Sequence, residues 1–344
     1  MLVNASMAEL SDLTFRTAFI IYIAALVMSF VYYGRVNSLI ELRRERRAAT
    51  ADQKVLVGAG GPATDTPATG TADTTDAPTD ITTDDEYDAK VANARKWAGM
   101  TQALVWVGVA LHLVAFVTRG FAAKRFPLGN LYEYILFMTA VIMVVAAAVI
   151  QKRNWHTVWP WLLFPMVIAM FLNSTVFHMQ AAPVVPALQS YWLPVHVSTV
   201  SIGASIGLVS GVFSLLYLLR MKQPKGEEQG FFGALARPLP SAKTLDQIAY
   251  KTAVVTLPVF GIGIVFGAIW AEVAWGRFWG WDAKETVSMI TWILYAAFLH
   301  ARATAGWKNV TAAWINVFAM AMTIFNMTYV NTVIAGLHSY AGLN

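Results

Sequence analysis

Eight stretches of this chain are too long and too apolar for a soluble fold. They cover residues 15–33, 97–118, 131–150, 158–176, 193–219, 252–270, 286–300 and 312–333. A run of this length, nearly free of charge, matches the hydrocarbon thickness of a bilayer when coiled as a helix. Inside lipid each backbone polar group needs an internal partner, so spans of this kind are helical. The expected fold class is all-α: a polytopic membrane helix bundle with about eight transmembrane helices. Composition agrees, since 57% of residues are hydrophobic and only 13% charged, too few to coat a soluble surface.

Charge placement orients the bundle. Glu9 and Asp12 precede the first span, and Arg43, Arg44, Arg46 and Arg47 follow it, the reverse of a secretory signal peptide. The positive-inside rule then places the amino terminus outside. Lys152, Arg153, Arg220, Lys222, Lys225, Arg302 and Lys308 all fall inside, and the outer loop 175–190 holds no Lys, Arg, Asp or Glu. Eight crossings put both termini outside. Arg119, Lys124 and Arg125 break the rule by falling outside.

Three regions follow. Residues 1–47 form an N-terminal transmembrane helix with a basic end. Residues 48–95, rich in Thr, Asp, Ala and Pro, have little to bury and read as a disordered cytoplasmic linker. Residues 96–344 form the main membrane domain. The net charge of +5 comes from cations flanking the spans, so nucleic acid is not an expected partner. The chain has no cysteine, so it forms no disulfide or thiolate metal site; any thiol chemistry belongs to a partner.

The outer loop after residue 270 is the most distinctive segment. Trp270, Trp275, Trp279 and Trp281 fall within it, interleaved with Gly276 and Gly280 and closed by Asp282-x-Lys284-Glu285. An aromatic belt at the membrane surface explains one or two such rings. Four, with glycines between them, suit a flat ligand, since indole offers broad rigid surface and glycine permits close backbone approach. Asp282 also suits the amino end of the following helix as a cap.

The W-G-x-x-W-x-W-D pattern from Trp275 to Asp282 resembles the tryptophan-rich WWD signature of membrane haem-handling proteins. The segment WAEVAWGRFWGWDAKETVSMITWILYAAFLHAR is similar to the CcsA/ResC family of cytochrome c assembly proteins, which serves bacterial system II cytochrome c biogenesis. Pro127, Asn130, Tyr132 and Glu133 match a P-x-x-N-x-Y-E segment, QSYWLPVHVS surrounds His196, and GLHSYAG surrounds His338. Ala283 stands where the family usually has Pro, and Val287 where it often has Trp. The resemblance covers about residues 100–344.

The resemblance implies roles for particular side chains. His196 and His338, far apart in sequence but both at the outer face, are the expected axial ligands of an outward haem; interfacial hydrogen bonding is the alternative. His300, about 22 Å nearer the cytoplasm along its helix, is expected to bind haem within the membrane. Its second ligand comes from a CcsB/ResB-like partner. His112 is left between packing and function, His156 reads as interfacial, and His178 is a spare ligand near the site. Trp270, Trp275, Gly276, Trp279, Trp281 and Asp282 form the expected haem-contacting loop. Arg119, Lys124, Arg125, Arg277 and Lys284 are propionate candidates as a group, because cations pair with carboxylates; for any single one of them lipid-headgroup contact is the leading alternative.

The implied function is haem export and attachment. Haem b, as substrate and ligand, is presented outside for thioether bonding to the CxxCH of apocytochrome c, within a cytochrome c haem lyase complex. Thiol-reducing proteins are indirect partners, and a bacterial plasma membrane is expected rather than a plastid thylakoid. Two other readings stay open: a haem carrier without synthase activity, and a membrane haem electron-transfer subunit.

Overall fold

The computed structural model describes residues 3–58, 84–184, 186–304 and 309–338. It is an all-α membrane bundle, and no strand occurs among the described residues. Helices α1 (Ala5–Gly58) and α2 (Asp84–Ala123) run antiparallel, tied by Asn4 N–H to the Ala122 carbonyl at one end and Arg46 to Asp84 at the other. Next come α3 (Leu131–Arg153), α4 (Trp159–Thr175), α5 (Trp192–Lys222), the short α6 (Gly230–Ala236), α7 (Ala242–Trp275), α8 (Ala283–Ala303), α9 (Asn309–Met327) and the single turn α10 (Tyr329–Thr332).

Seven of these helices are long and apolar enough to cross a membrane. The remaining expected span, 286–300, lies inside α8. That helix has 21 residues, about 31 Å at 1.5 Å per residue, enough to span the hydrocarbon. It packs between α7 and α9, and Lys284, Glu285, His300 and Arg302 near its ends make it less apolar than the others.

The first two helices overshoot their spans. Helix α1 has 54 residues, about 80 Å, far more than a bilayer needs. The basic stretch after residue 34 is rich in Leu, Glu, Arg and Ala, all good helix formers, so the helix continues well beyond its span. Asp84, Asp85 and Glu86 in the first turn of α2 favour a start there through the helix dipole. Both ends of the stretch read as a disordered linker, 48–58 and 84–95, are therefore helical. Its middle, 59–83, lies outside the described residues, as do Lys308 and the last residues of the GLHSYAG segment.

The loops assort by end as the charges predict. One end gathers the start of α1, the α2–α3 and α4–α5 loops, the tryptophan loop and His338. Arg119 there is fully buried, bridging Glu133 at 3.3 Å and Asp12 at 3.7 Å, and it also donates to the Met179 carbonyl. Arg125 meets Glu133 at 2.7 Å. These partners offset two of the three outer cations that break the positive-inside rule; Lys124 stays exposed. At the other end Glu228 joins Arg220 at 2.8 Å and also Arg44, and Arg237 reaches Asn37 and Glu41. Burial alone would push the Glu228 carboxyl up, but hydrogen bonds from Arg44, Arg220 and nearby amides outweigh it and hold it at about 2.

Because the chain has no native cysteine, single-cysteine labelling tests this sidedness. A membrane-impermeant maleimide added outside is expected to label Trp281→Cys and to leave Arg44→Cys and Lys222→Cys untouched until the membrane is opened. Labelling of positions 281 and 222 from the same side would overturn the topology.

Small residues set the geometry on which the site depends. A side chain at Gly203 of α5 would lie 2.7 Å from the Phe260 backbone, and one at Gly263 of α7 would lie 2.7 Å from the Val200 backbone. The two backbones therefore approach as closely as membrane helices do through glycine. Asn316 of α9 donates to Ser210 and Ser214 of α5, both at 2.8 Å, which holds α9 against the same helix.

Candidate functional site

At the outer end, α3, α5, α7, α8 and α9 surround an open cavity. Ligand sites in proteins are concave and mostly apolar with a few placed polar groups, and this one conforms. Its apolar lining includes Leu193, Phe260, Ile264 and Trp270, and its polar lining includes Lys284 and Asn331. His196 and His338, 142 positions apart in a chain of 344, both line it.

The two imidazoles are held alike. His196 Nδ1 lies 2.8 Å from the Gly263 carbonyl. A carbonyl only accepts, so Nδ1 carries the hydrogen and Nε2 keeps its lone pair. Gly267, one turn further along α7, leaves room for the ring: a Cβ there would sit 2.6 Å from His196 Cε1. His338 Nδ1 lies 3.0 Å from Asp282 Oδ1, and a carboxylate only accepts, so Nδ1 carries the hydrogen here too and Nε2 is the nitrogen that a neutral ring offers. Metal-binding histidines are oriented by this kind of second contact.

Asp282 does more than cap. It accepts from Lys284 N–H at 3.0 Å and shares a capping box with Glu285. Its Oδ2 accepts from Leu337 N–H at 3.0 Å. A Cβ at Gly336 would approach that oxygen to 2.6 Å, so the tail carrying His338 lies directly on the cap. The His338 hydrogen bond, with help from the two amides, holds the Asp282 carboxyl at about 2 against the opposing effect of burial.

The tryptophans divide by position. Trp270 is buried, stacked 9° from parallel on His196 with centroids 5.9 Å apart, and its ring also lies 5.9 Å from His338. Trp275 meets Trp270 edge-on at 4.7 Å and His338 at 4.9 Å. Trp279 lines the cavity beside Phe278. Trp281 packs edge-on to Trp279 but is 67% exposed, with a left-handed φ of 57°. Gly276, at φ 69°, ends α7 and turns the chain into the loop.

Of the five propionate candidates, Lys284 alone lines the cavity, hydrogen-bonded to Asn331. Arg277 pairs with Glu285 at 3.0 Å and lies over the Trp275 ring, bracing the loop. Arg125 packs against Gly129, a lining residue, but is paired to Glu133. Arg119 is engaged by Glu133 and Asp12, and Lys124 is exposed.

The remaining histidines lie elsewhere. His178 pairs with Asp12 at 3.2 Å and does not line the cavity. His112 is fully buried against Phe15 and Tyr22, away from the cavity, with Nε2 3.1 Å from the Leu136 carbonyl. His156 meets Tyr32 edge-on at the opposite end of the bundle. His300 is exposed near the cytoplasmic end of α8, with Thr304 as a weak neighbour at 3.5 Å. Among the described residues no three His, Asp or Glu side chains converge to hold a bare metal ion.

Comparison with known proteins now adds to the geometry. The profile of the family described as cytochrome C assembly protein matches residues 128–338, which include every cavity-lining side chain named above. A cytochrome c biogenesis protein CcsA from Guillardia theta is 35% identical over 66% of this chain and 80% of its own length. CcsA proteins from Synechococcus sp. (strain CC9902) and Chlamydomonas reinhardtii are 31% and 30% identical, each over 70% of this chain and over 86% and 68% of their own lengths. Helix α1 precedes the profile match.

Proposed function

The chain belongs to the cytochrome c assembly protein family and works in cytochrome c biogenesis, and on that premise we propose that its outer cavity holds haem b for attachment to apocytochrome c. One observation carries the reading. Two histidines 142 positions apart line a single cavity, each with Nδ1 tied down and Nε2 left as a donor to iron. A structural histidine pair has no need of a shared cavity or of matched tautomers.

The chain's own groups supply positioning. His196 and His338 fix the iron, Trp270 and Trp279 face the macrocycle, Trp275 braces Trp270 and His338 from outside the cavity lining, and Lys284 meets a propionate. Arg277 acts through Glu285 on the loop, and Trp281 backs Trp279 from the exposed side. Haem and substrate supply the reactive groups: each thiol of a CxxCH segment adds across a vinyl, sulfur to one carbon and hydrogen to the other. The client's histidine then takes over one axial position. A cysteine-free chain suits this division, with thiol-reducing proteins keeping the client ready.

His300 supports the partner in this reading. Its exposed ring on α8 can give one axial nitrogen to haem within the membrane, the other coming from a CcsB/ResB-like chain. The setting is a bacterial plasma membrane with the cavity facing out.

The optical spectrum of the purified protein tests this, alone and with its partner. The expected result is a six-coordinate bis-histidine haem that leaves the protein as apocytochrome is converted to product. A tightly held haem that cycles redox state and never leaves would favour an electron-transfer subunit instead.

A further inference from the structure

Asp12, at the outer end of α1, is engaged by three other parts of the bundle. Its Oδ2 lies 3.2 Å from His178 Nε2 in the α4–α5 loop. Its Oδ1 lies 3.7 Å from Arg119 Nη1 of α2 and accepts from the Tyr132 hydroxyl of α3 at 3.4 Å. Arg119 is fully buried, and Asp12 and Glu133 together balance it and Arg125. A buried guanidinium left short of a counter-charge is costly, which binds the four groups into one unit. Helix α1 precedes the family profile, so Asp12 reaches this unit from outside the matched region.

The unit grips the α4–α5 loop by its main chain. Arg119 donates to the Met179 carbonyl, and Arg125 donates to the Ala182 carbonyl at 3.1 Å. Val184 then packs on Gly129, which has no Cβ to meet it, and Gln189 donates to the Val184 carbonyl at 3.2 Å. The end of the loop is thereby folded back, with Leu188 buried in one apolar cluster with Leu193 and Trp270. Leu188 also lines the outer cavity, and Trp270 stacks on His196. Residues 175–190 hold no Lys, Arg, Asp or Glu, so the charges that fasten this wall come from its neighbours.

Resting on the haem reading of that cavity, we propose that Asp12 is a positioning residue. Through His178 and Arg119 it latches the α4–α5 loop as the wall that backs Trp270 on His196. A carboxylate that only fastened α1 would have no need of the loop. The cytoplasmic half of α1 is already held without it, by Arg237 on Glu41 and Arg44 on Glu228.

The test uses the full chain in nanodiscs with Leu188→Cys as reporter, since the chain has no other cysteine. In the haem-free protein, Asp12→Asn and His178→Gln are each expected to speed maleimide labelling of position 188 roughly tenfold, the effect of losing a hydrogen bond to a charged group. Without the reporter, each is expected to weaken haem binding by a similar factor and leave the bound spectrum six-coordinate. The two together should do no more than either alone, because they break one contact. Asp12→Glu, which keeps the charge, should recover most of the loss, and Glu41→Gln should change neither readout. If Asp12→Asn fails to fold, His178→Gln carries the test, since it leaves Asp12 and both guanidiniums in place. Unchanged labelling would overturn the latch. So would faster labelling with unaltered haem binding, or the same losses in Glu41→Gln, which would make α1 a general brace. Failure of the haem reading looks different: His196→Ala would then leave the haem spectrum as it is in the wild-type chain.

Discussion

Replacing His196 or His338 with alanine is expected to abolish haem attachment, and added imidazole is expected to restore part of it. The physical ground is that iron needs a nitrogen donor at a fixed place. In each site the departing ring leaves its anchor behind: the Gly263 carbonyl beside position 196 and the Asp282 carboxylate beside position 338. Free imidazole entering the vacancy finds the same acceptor for its N–H and presents its other nitrogen to the cavity. A residue that served only packing would behave differently, since a soluble base does not rebuild the packing of a truncated core side chain. Trp279→Ala gives the contrast. Losing part of the ring's apolar area should weaken haem retention by roughly one to two orders of magnitude at about 25 cal/mol per Å², yet leave the residual spectrum six-coordinate. Both histidine variants maturing cytochromes at the normal rate, with an unchanged spectrum, would sink the assignment.

Much of this site is legible in the sequence because it is built from local patterns. The spans follow from length and apolarity, and the loop charges place His196, the tryptophan loop and His338 at one end, where His196, His338, Trp270 and Trp279 line one cavity. Asp282 is readable as a cap from its position before a helix start. Its second role is not, because the contact with His338 joins residues 56 apart through the return of α9 and α10. Gly263 and Gly267 are equally silent. Their value lies in what they omit, a side chain between α5 and α7, and nothing in the α7 sequence says which helix lies opposite.

The linker and the outer cations escape sequence reading for a common reason: each depends on a partner. Composition measures what a segment can bury alone, but α1 and α2 extend each other as an antiparallel pair, and the neighbouring helix supplies what composition omits. Arg119 and Arg125, which look like free charges open to propionates, instead sit against Glu133, a pairing that follows from the turn between α2 and α3. Charge counts along a sequence do not separate a paired cation from a free one.

Asp282 offers the sharpest separation of folding from ligand positioning. Asp282→Ala removes the α8 cap, which is expected to cost about 1 kcal/mol of stability. It also removes the acceptor that fixes the His338 tautomer and the anchor for Leu337 N–H, and loss of such a second contact typically lowers metal-site affinity about 10–100-fold. Asp282→Asn keeps an oxygen for the cap and for the imidazole N–H but loses the carboxylate charge, so it should fall between wild type and alanine. Thermal melting of the haem-free protein reads the cap, and haem titration reads the positioning. The two are coupled only through His338. In a His338→Ala background, Asp282→Ala should therefore still lower the melting temperature but should weaken haem binding no further, because the group it positions is already gone. If the second substitution weakens haem binding equally in both backgrounds, Asp282 acts through the loop's shape and not through the histidine.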